Sequence, residues 1–173
     1  MCTTKAPCVS GWRRRRLMVT QILCAIDDAE HSETAAEFAI DLARQLSARL
    51  VFQMVNPAVL PSPRGAPVYL WADDYIRGYL DEAFRRARQA GVSVVTCETG
   101  RATSIAESIV ACADFHEADF IVIGAHGRRR IADLFRRSVS RVVADTANCP
   151  VLIIRQVRNR WPGHGSLPYR EAA

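Results

Sequence analysis

Five short apolar runs alternate along the chain with segments in which apolar residues recur every three or four positions. The runs are rich in β-branched residues and bounded by turn-forming residues, which is typical of buried strands. The predicted strands span residues 21–26, 50–55, 92–97, 120–123 and 151–154. In the segments between the runs, the recurrence of apolar residues every three or four positions predicts amphipathic helices. This alternation predicts a single α/β domain with a doubly wound parallel sheet and helices on both faces.

Local signals place the ends of the helices. The first helix is predicted over residues 32–47, and the second stops at Gly91. Ser104 and Glu107 have the spacing of a capping box that opens the third helix, and the fourth begins at Ser138. The predicted buried faces are Ala35, Phe38, Ala39, Leu42 and Leu46; then Ile76, Tyr79, Leu80, Ala83, Phe84 and Ala87; then Ile105, Ile109 and Cys112 or Ala113; and finally Val139, Val142, Val143 and Thr146.

Two segments predict irregular structure. Residues 57–67 contain four prolines and Gly65, which predicts an exposed loop after the second strand. A plain variable loop is favoured there over a lid or a partner contact. Residues 99–103 predict a shorter loop before the third helix.

The net charge of +5 is concentrated at the two ends of the 173-residue chain. Residues 1–16 carry five basic and no acidic residues, and residues 156–173 carry three arginines against one glutamate, so the body between them is close to −2. Both ends are predicted to be disordered, which leaves residues 17–155 as one domain. Since the basic charge lies in these ends, it does not indicate nucleic acid as a partner.

Six cysteines show neither a C-x-x-C pair nor a histidine at zinc-ligand spacing. Small buried hydrophobes in a reducing cytoplasm are therefore favoured over disulfides or metal ligands. No apolar run approaches the roughly 20 residues that a membrane span needs. A cytoplasmic location without a membrane partner is expected.

The fourth predicted strand is followed by a G-x-x-G motif. Gly124 and Gly127 form this motif, and Ser138 and Ser140 lie at the start of the next helix. Ligands of open α/β sheets bind at the C-terminal ends of the strands, where glycines and helix N–H groups hold phosphates. A tight turn with a helix cap is the alternative interpretation of the same residues.

Residues 124–138 resemble the nucleotide-binding branch of the universal stress protein family, whose motif is G-x-x-G, nine residues, then G-[ST]. Arg137 stands where the family has its third glycine. The runs at residues 21–46 and 148–155 also resemble the first strand and helix and the last strand of this family, with Asp27 at its acidic position. The resemblance implies five strands in the order 3-2-1-4-5.

The resemblance also implies a nucleotide site. Asp27 would contact the ribose or adenine side, and Arg137 would either fill the phosphate space or bind phosphate itself. The base would be lined by Ala25, Ile26 and Val55, and the ribose and phosphates would be held by Gly124, His126, Gly127, Ser138, Val139 and Ser140, with Ile123 beside them.

The expected function is a stress-response regulatory module that binds ATP or a related adenine nucleotide, with Mg as a possible companion, and signals through a dimer. The family resemblance implies a homodimer through the last strand, Val151–Arg155. The alternative is a nucleotide-free dimeric interaction protein whose pocket is closed by Arg137. Motifs of hydrolases and kinases are absent from the sequence, so no dedicated enzyme is expected, and slow ATP hydrolysis stays open.

Overall fold

The structure, a computed structural model, describes residues 18–59, 66–125 and 138–155. These residues form strands and helices in alternation, as the sequence predicts. The strands are β1 (Gln21–Ile26), β2 (Arg49–Val59), β3 (Val68–Tyr69), β4 (Val95–Ala102), β5 (Phe120–Ala125) and β6 (Val151–Arg155). The helices are α1 (Glu30–Leu46), α2 (Asp73–Gln89), α3 (Ile105–Phe115) and α4 (Val139–Thr146).

Strand β1 lies in the middle of the sheet. It pairs in parallel with β2 on one side and with β5 on the other, while β4 pairs with β2 and β6 with β5. The five longer strands thus have the predicted parallel order, β4-β2-β1-β5-β6, and the predicted fold class is confirmed. Every residue of β1 is buried, as expected for a parallel strand that helices cover on both faces.

The end of β2 corrects the start of the predicted loop over residues 57–67, and a sixth strand, β3, follows that loop. Strand β2 continues through Pro57, and its end pairs antiparallel with the short strand β3. Pro57 is tolerated because its restricted φ suits extended backbone, and its carbonyl oxygen accepts a hydrogen bond from the Leu70 N–H at 3.1 Å. Residues 60–65 lie outside the described residues.

The third predicted strand is displaced along the chain. It forms at Val95–Ala102 and not at residues 92–97, so most of the predicted loop at residues 99–103 is strand. The reason is the length of β2. Val55 lies opposite Gly100, and β2 continues beyond Val55, so the residues that follow Gly100 also have a strand to pair with. Long-range pairing of this kind overrides the weak strand propensity of a Thr-Gly-Arg-Ala segment.

The helices form where the apolar spacing predicts them, but their buried faces differ from the prediction. Phe38 and Leu46 of α1 and Phe84 of α2 are exposed, and so is Thr146 of α4, whose hydroxyl donates to the Val142 carbonyl. Close packing explains the change in α1, because small side chains bring a helix nearer to the sheet. The buried residues of α1 are Ser32, Ala35, Ala36, Ala39, Ile40 and Ala43.

The predicted helix signals at two other positions are confirmed. Gly91 follows α2 with a φ of 94°, a conformation that glycine adopts without strain. Ser104 Oγ accepts a hydrogen bond from the Glu107 N–H at 3.4 Å at the start of α3.

The core consists of two apolar clusters, one on each face of the sheet. Ile22, Cys24 and Phe52 pack on the face that carries α1 and α2, and Leu23 and Val51 pack on the face that carries α3 and α4. Successive strand residues therefore alternate between the two faces. Within the described ranges, no helix is long and apolar enough to cross a membrane.

The end of β5 approaches the first turn of α1 very closely. A Cβ atom on Gly124 would lie 2.6 Å from the backbone oxygen of His31 and 2.7 Å from its ring carbon Cδ2. The backbone at His31 can move away only if the helix moves with it. Glycine at position 124 is therefore required by the packing of α1, which lies across β1, β5 and β6.

We expect Gly124→Ala to lower the free energy of unfolding by about 1–3 kcal/mol, because the added methyl overpacks this contact. Gly78→Ala on α2 is the matched control, since nothing lies within 4 Å of its added Cβ. Alanine is favoured over glycine inside a helix by roughly 1 kcal/mol, so the control should gain stability. Urea unfolding measures both effects, and unchanged stability of Gly124→Ala would contradict the packing argument.

Candidate functional site

The C-terminal ends of β1, β2 and β5 open into a cleft of about 490 Å³. The cleft lies on the sheet face that carries α3 and α4, because its lining includes Ala25, Val55 and Ile109 of that apolar cluster. A cavity of this size is within the usual range for small-molecule sites, roughly 300–1,000 Å³. Its position is the one at which open α/β sheets bind ligands.

The structure brings the described members of the predicted site together. They come from four separate elements and all line this cleft. These residues are Ala25, Ile26, Asp27, Val55, Ile123, Gly124, Ser138, Val139 and Ser140. The other predicted site residues, His126, Gly127 and Arg137, lie outside the described residues.

The lining changes from apolar to polar across the sheet. On the β2 side, Val55 is buried and stands near Ile109 of α3. On the opposite side, β6 ends at the exposed Arg155, and Ser138 lies at the start of α4. The cleft therefore offers an apolar wall for a flat ring and polar donors for an anionic group.

Asp27 lies where β1 turns into α1. Its Oδ1 accepts a hydrogen bond from the Ala29 N–H at 3.0 Å, and its own N–H donates to Ser32 Oγ at 2.8 Å. Its Oδ2 lies 3.9 Å from His31 Nε2. The side chain is nevertheless 44% exposed, so the carboxylate can accept further hydrogen bonds. Asp27 thus stabilises the turn and also offers an acceptor to the cleft.

The start of α4 supplies the donors on the polar side. Ser138 Oγ lies 3.4 Å from Ser140 Oγ. The N–H groups of Arg141 and Val142 already donate to the Ser138 carbonyl. The N–H groups of Val139 and Ser140 precede them in the first turn, where a helix has no internal acceptors. These groups and the positive end of the helix dipole favour an anion.

Further residues line the cleft that the sequence reasoning did not name. Gln53 could have been identified from the sequence, because it precedes Val55 by two positions in a strand and so lies on the same face. Trp71 could not, because its position depends on strand β3, which the sequence pattern does not predict. The additional lining residues are His31, Ser32, Gln53, Trp71, Ile105, Ile109, Ala125 and Arg155.

Gln53 is a buried polar residue beside the apolar wall. Its Nε2 donates to the carbonyl oxygen of Ser108 at 3.2 Å and lies 3.3 Å from the Ser108 hydroxyl. Its Oε1 is buried and has no hydrogen-bond partner among the described residues. The lack of a side chain at Gly100 makes room for this pair, because a Cβ there would lie 2.5 Å from Ser108 Oγ.

Asn56 holds the segment that carries Trp71. Its Nδ2 donates to the Trp71 carbonyl at 2.8 Å, and its Oδ1 accepts from the Trp71 N–H at 3.0 Å. Asn56 is fully buried. The paired hydrogen bonds hold Trp71 in the lining of the cleft and satisfy both of its backbone groups.

Cys24, Cys97 and Cys112 are free thiols. Burial raises the pKa of Cys97 and of Cys112 to about 11, and complete burial also raises the pKa of Cys24. A raised pKa disfavours the thiolate, so these thiols are not activated nucleophiles. The part of the chain that the structure describes also contains no group of three or more His, Cys, Asp or Glu placed to hold a metal ion.

Residues 18–155 match the model of a protein family described as the universal stress protein family. A universal stress protein of Thermus aquaticus is 32% identical to the chain over 144 residues, which cover 80% of the chain and all of the relative. The universal stress protein YxiE of Bacillus subtilis is 24% identical over 151 residues, with 80% of the chain and all of the relative covered.

Solved structures share the fold. A universal stress protein in complex with cAMP superposes with a TM-score of 0.64 at 24% identity, covering 80% of the chain and 98% of the neighbour. A member from Burkholderia pseudomallei gives 0.62 at 26% identity, with coverage of 80% and 97%. An Archaeoglobus fulgidus protein in complex with dAMP gives 0.57 at 24% identity, with coverage of 80% and 99%.

We expect Asn56→Ala to lower the free energy of unfolding by about 1–3 kcal/mol, because both Trp71 backbone groups lose their partner. Asn148→Ala is the control, since the Asn148 amide is exposed and donates to the Asp114 carboxylate at 3.0 and 3.1 Å. Exposed sites of this kind change stability within about 0.5 kcal/mol. Urea unfolding compares the two variants, and equal losses would show that Asn56 does not hold the Trp71 segment.

Proposed function

The chain belongs to the universal stress protein family, and on that premise we propose that its cleft binds an adenine nucleotide, ATP or a close relative. One observation carries the proposal. Residues of β1, β2, β5 and α4 line one cavity that is apolar beside β2 and rich in donors beside α4. The complexes of two structural neighbours with cAMP and dAMP add support.

The chemistry of the lining suits the three parts of a nucleotide. Ala25 and Val55 give a flat apolar surface for the base, and the exposed Asp27 carboxylate accepts hydrogen bonds from ribose hydroxyls. Ser138, Ser140 and the N–H groups of α4 face the phosphates, together with the Arg155 guanidinium. A Mg²⁺ ion would be held chiefly by the phosphate oxygens and water, as is usual for this metal.

We propose that this site regulates and does not turn over substrate. The Cys97 and Cys112 thiols are protonated at neutral pH, because burial raises the pKa of each to about 11. Nucleotide in the cleft would then change how a dimer of this protein interacts with its partners in the cytoplasm during stress. If the protein hydrolyses ATP slowly, phosphate release should rise in proportion to the protein concentration and should be lost in the Ser138→Ala variant.

Acid extraction of the purified protein, followed by calorimetry with ATP, AMP and cAMP with and without Mg²⁺, tests the nucleotide. Asp27→Asn keeps an oxygen that accepts from Ala29 but removes the charge, so affinity should fall about tenfold for a lost charged hydrogen bond. Asp41→Asn is the matched control, because Asp41 is an exposed residue of α1 that pairs with Arg44 at 3.7 Å.

Protein that contains no nucleotide and takes up none would remove this proposal. The alternative is then a nucleotide-free interaction protein whose phosphate space is closed by Arg137. In that case Arg137→Gly should create ATP binding. If the variant also fails to bind, the closure by Arg137 is wrong as well.

Strand β6 supplies the surface for the proposed homodimer. Among the described strands it pairs only with β5, so its other edge has unpaired backbone groups. Its apolar residues, Val151 to Ile154, are only partly buried. An apolar strand edge favours pairing with a second chain, and a twofold dimer is the commonest result.

Sedimentation at micromolar concentration should show a species of twice the 19.2 kDa chain mass. Ile153→Lys should shift it to monomer, because a lysine on a strand edge opposes edge pairing. Val94→Lys is the control, since Val94 is 41% exposed and precedes β4 at the other end of the sheet. Wild-type protein that sediments only as monomer would contradict the dimer.

A further inference from the structure

A second cavity, of about 390 Å³, lies between α1 and α2 on the other face of the sheet. We call it the helix groove. It exists because α1 lies across β1, β5 and β6, whereas α2 lies over β2 and β4. The two helices leave a groove between them, and Ile26 at the end of β1 lies in its lining.

The floor of the helix groove is apolar. Ile26, Ala36, Ile40 and Ala83 are all more than 90% buried and line it. Gly78 of α2 also lines it, and nothing lies within 4 Å of the Cβ position of this glycine. The groove therefore has room and apolar surface for the body of a ligand.

The open end of the helix groove carries negative charge. Asp27, Glu33 and Asp74 come from the end of β1 and the first turns of the two helices. Among the described residues, Glu33 and Asp74 make no ion pair. Arg86 is the cation of the lining, and it lies farther down the helices, where its guanidinium donates to the Glu37 carboxylate at 2.8 Å.

Two tyrosines stand at the same end. The rings of Tyr75 and Tyr79 have centroids 6.0 Å apart, and both line the helix groove. Burial raises the pKa of Tyr79, and the Glu33 carboxylate raises it further. The carboxylate thus disfavours the deprotonated, negatively charged form of Tyr79. Aromatic faces beside carboxylates are the surroundings in which proteins bind organic cations.

We propose that the helix groove binds an organic cation with an apolar body. The cationic head lies at the open end, between the tyrosines and the carboxylates of Glu33 and Asp74. The apolar body lies along the floor toward Ile40. The excess of acids in the lining excludes anionic ligands, so this site differs in ligand class from the nucleotide cleft.

Three probes of equal chain length test the charge requirement: hexyltrimethylammonium, hexan-1-ol and hexanoate. Titration of the full chain, followed by amide NMR shifts, should give saturable binding of the cation at Ala36, Gly78 and Tyr79. The alcohol should bind at least about threefold more weakly, since a cation–aromatic contact is worth that factor or more. Hexanoate should not bind. Equal binding of all three, or no saturation by the cation, would overturn the proposal.

Two variants test the place. Gly78→Leu puts a good helix former into open space, so it should fold and should remove cation binding by filling the helix groove. Glu33→Gln should weaken the cation about threefold and leave hexan-1-ol unchanged. Asp41→Asn, on the same helix but outside the groove, is the control. Cation binding that survives Gly78→Leu, or that falls equally with Asp41→Asn, would show adsorption elsewhere and sink the proposal.

Discussion

The close approach of β5 to α1 sets the arrangement of the other elements. Gly124 has no Cβ, and the position of that atom would be only 2.6 Å from the backbone oxygen of His31. The first turn of α1 therefore packs directly against the end of β5. That contact draws α1 toward β5 and β6. On one face of the sheet it positions Asp27 at the cleft, and on the other it separates α1 from α2. The lack of a side chain at Gly124 therefore bears on the position of α1, whose residues line both cavities.

Local pattern predicted most of the fold, and long-range pairing explains the rest. The order of the strands follows from the family resemblance, whereas the buried runs and the stop at Gly91 follow from residue types within a few positions of each other. The extension of β2 beyond Pro57 and the displacement of β4 do not, because each depends on a partner strand remote in sequence. The exposure of Phe38 has a similar cause, since distance from the sheet selects the alanine face of α1.

The candidate site divides in the same way. Val55 was named through the family resemblance, and Ser140 was named also because it lies at the start of a helix; both line the cleft with the other described members of the predicted set. Trp71 was missed because Asn56, which holds its backbone, follows the residue at which the second strand was predicted to end. Gly124 gains a second explanation from the structure, since its missing side chain faces His31 and helix packing alone requires a glycine there.

Ile26, Asp27 and Ser32 line the cleft and the helix groove alike. They are joined by the hydrogen bond from the Asp27 N–H to Ser32 Oγ, so a displacement of this short segment alters both cavities together. Thermodynamic linkage then imposes reciprocity: if a ligand in one cavity changes affinity in the other by some factor, the converse change has the same factor. The cavities on the two faces of the sheet thus share the end of a single buried strand.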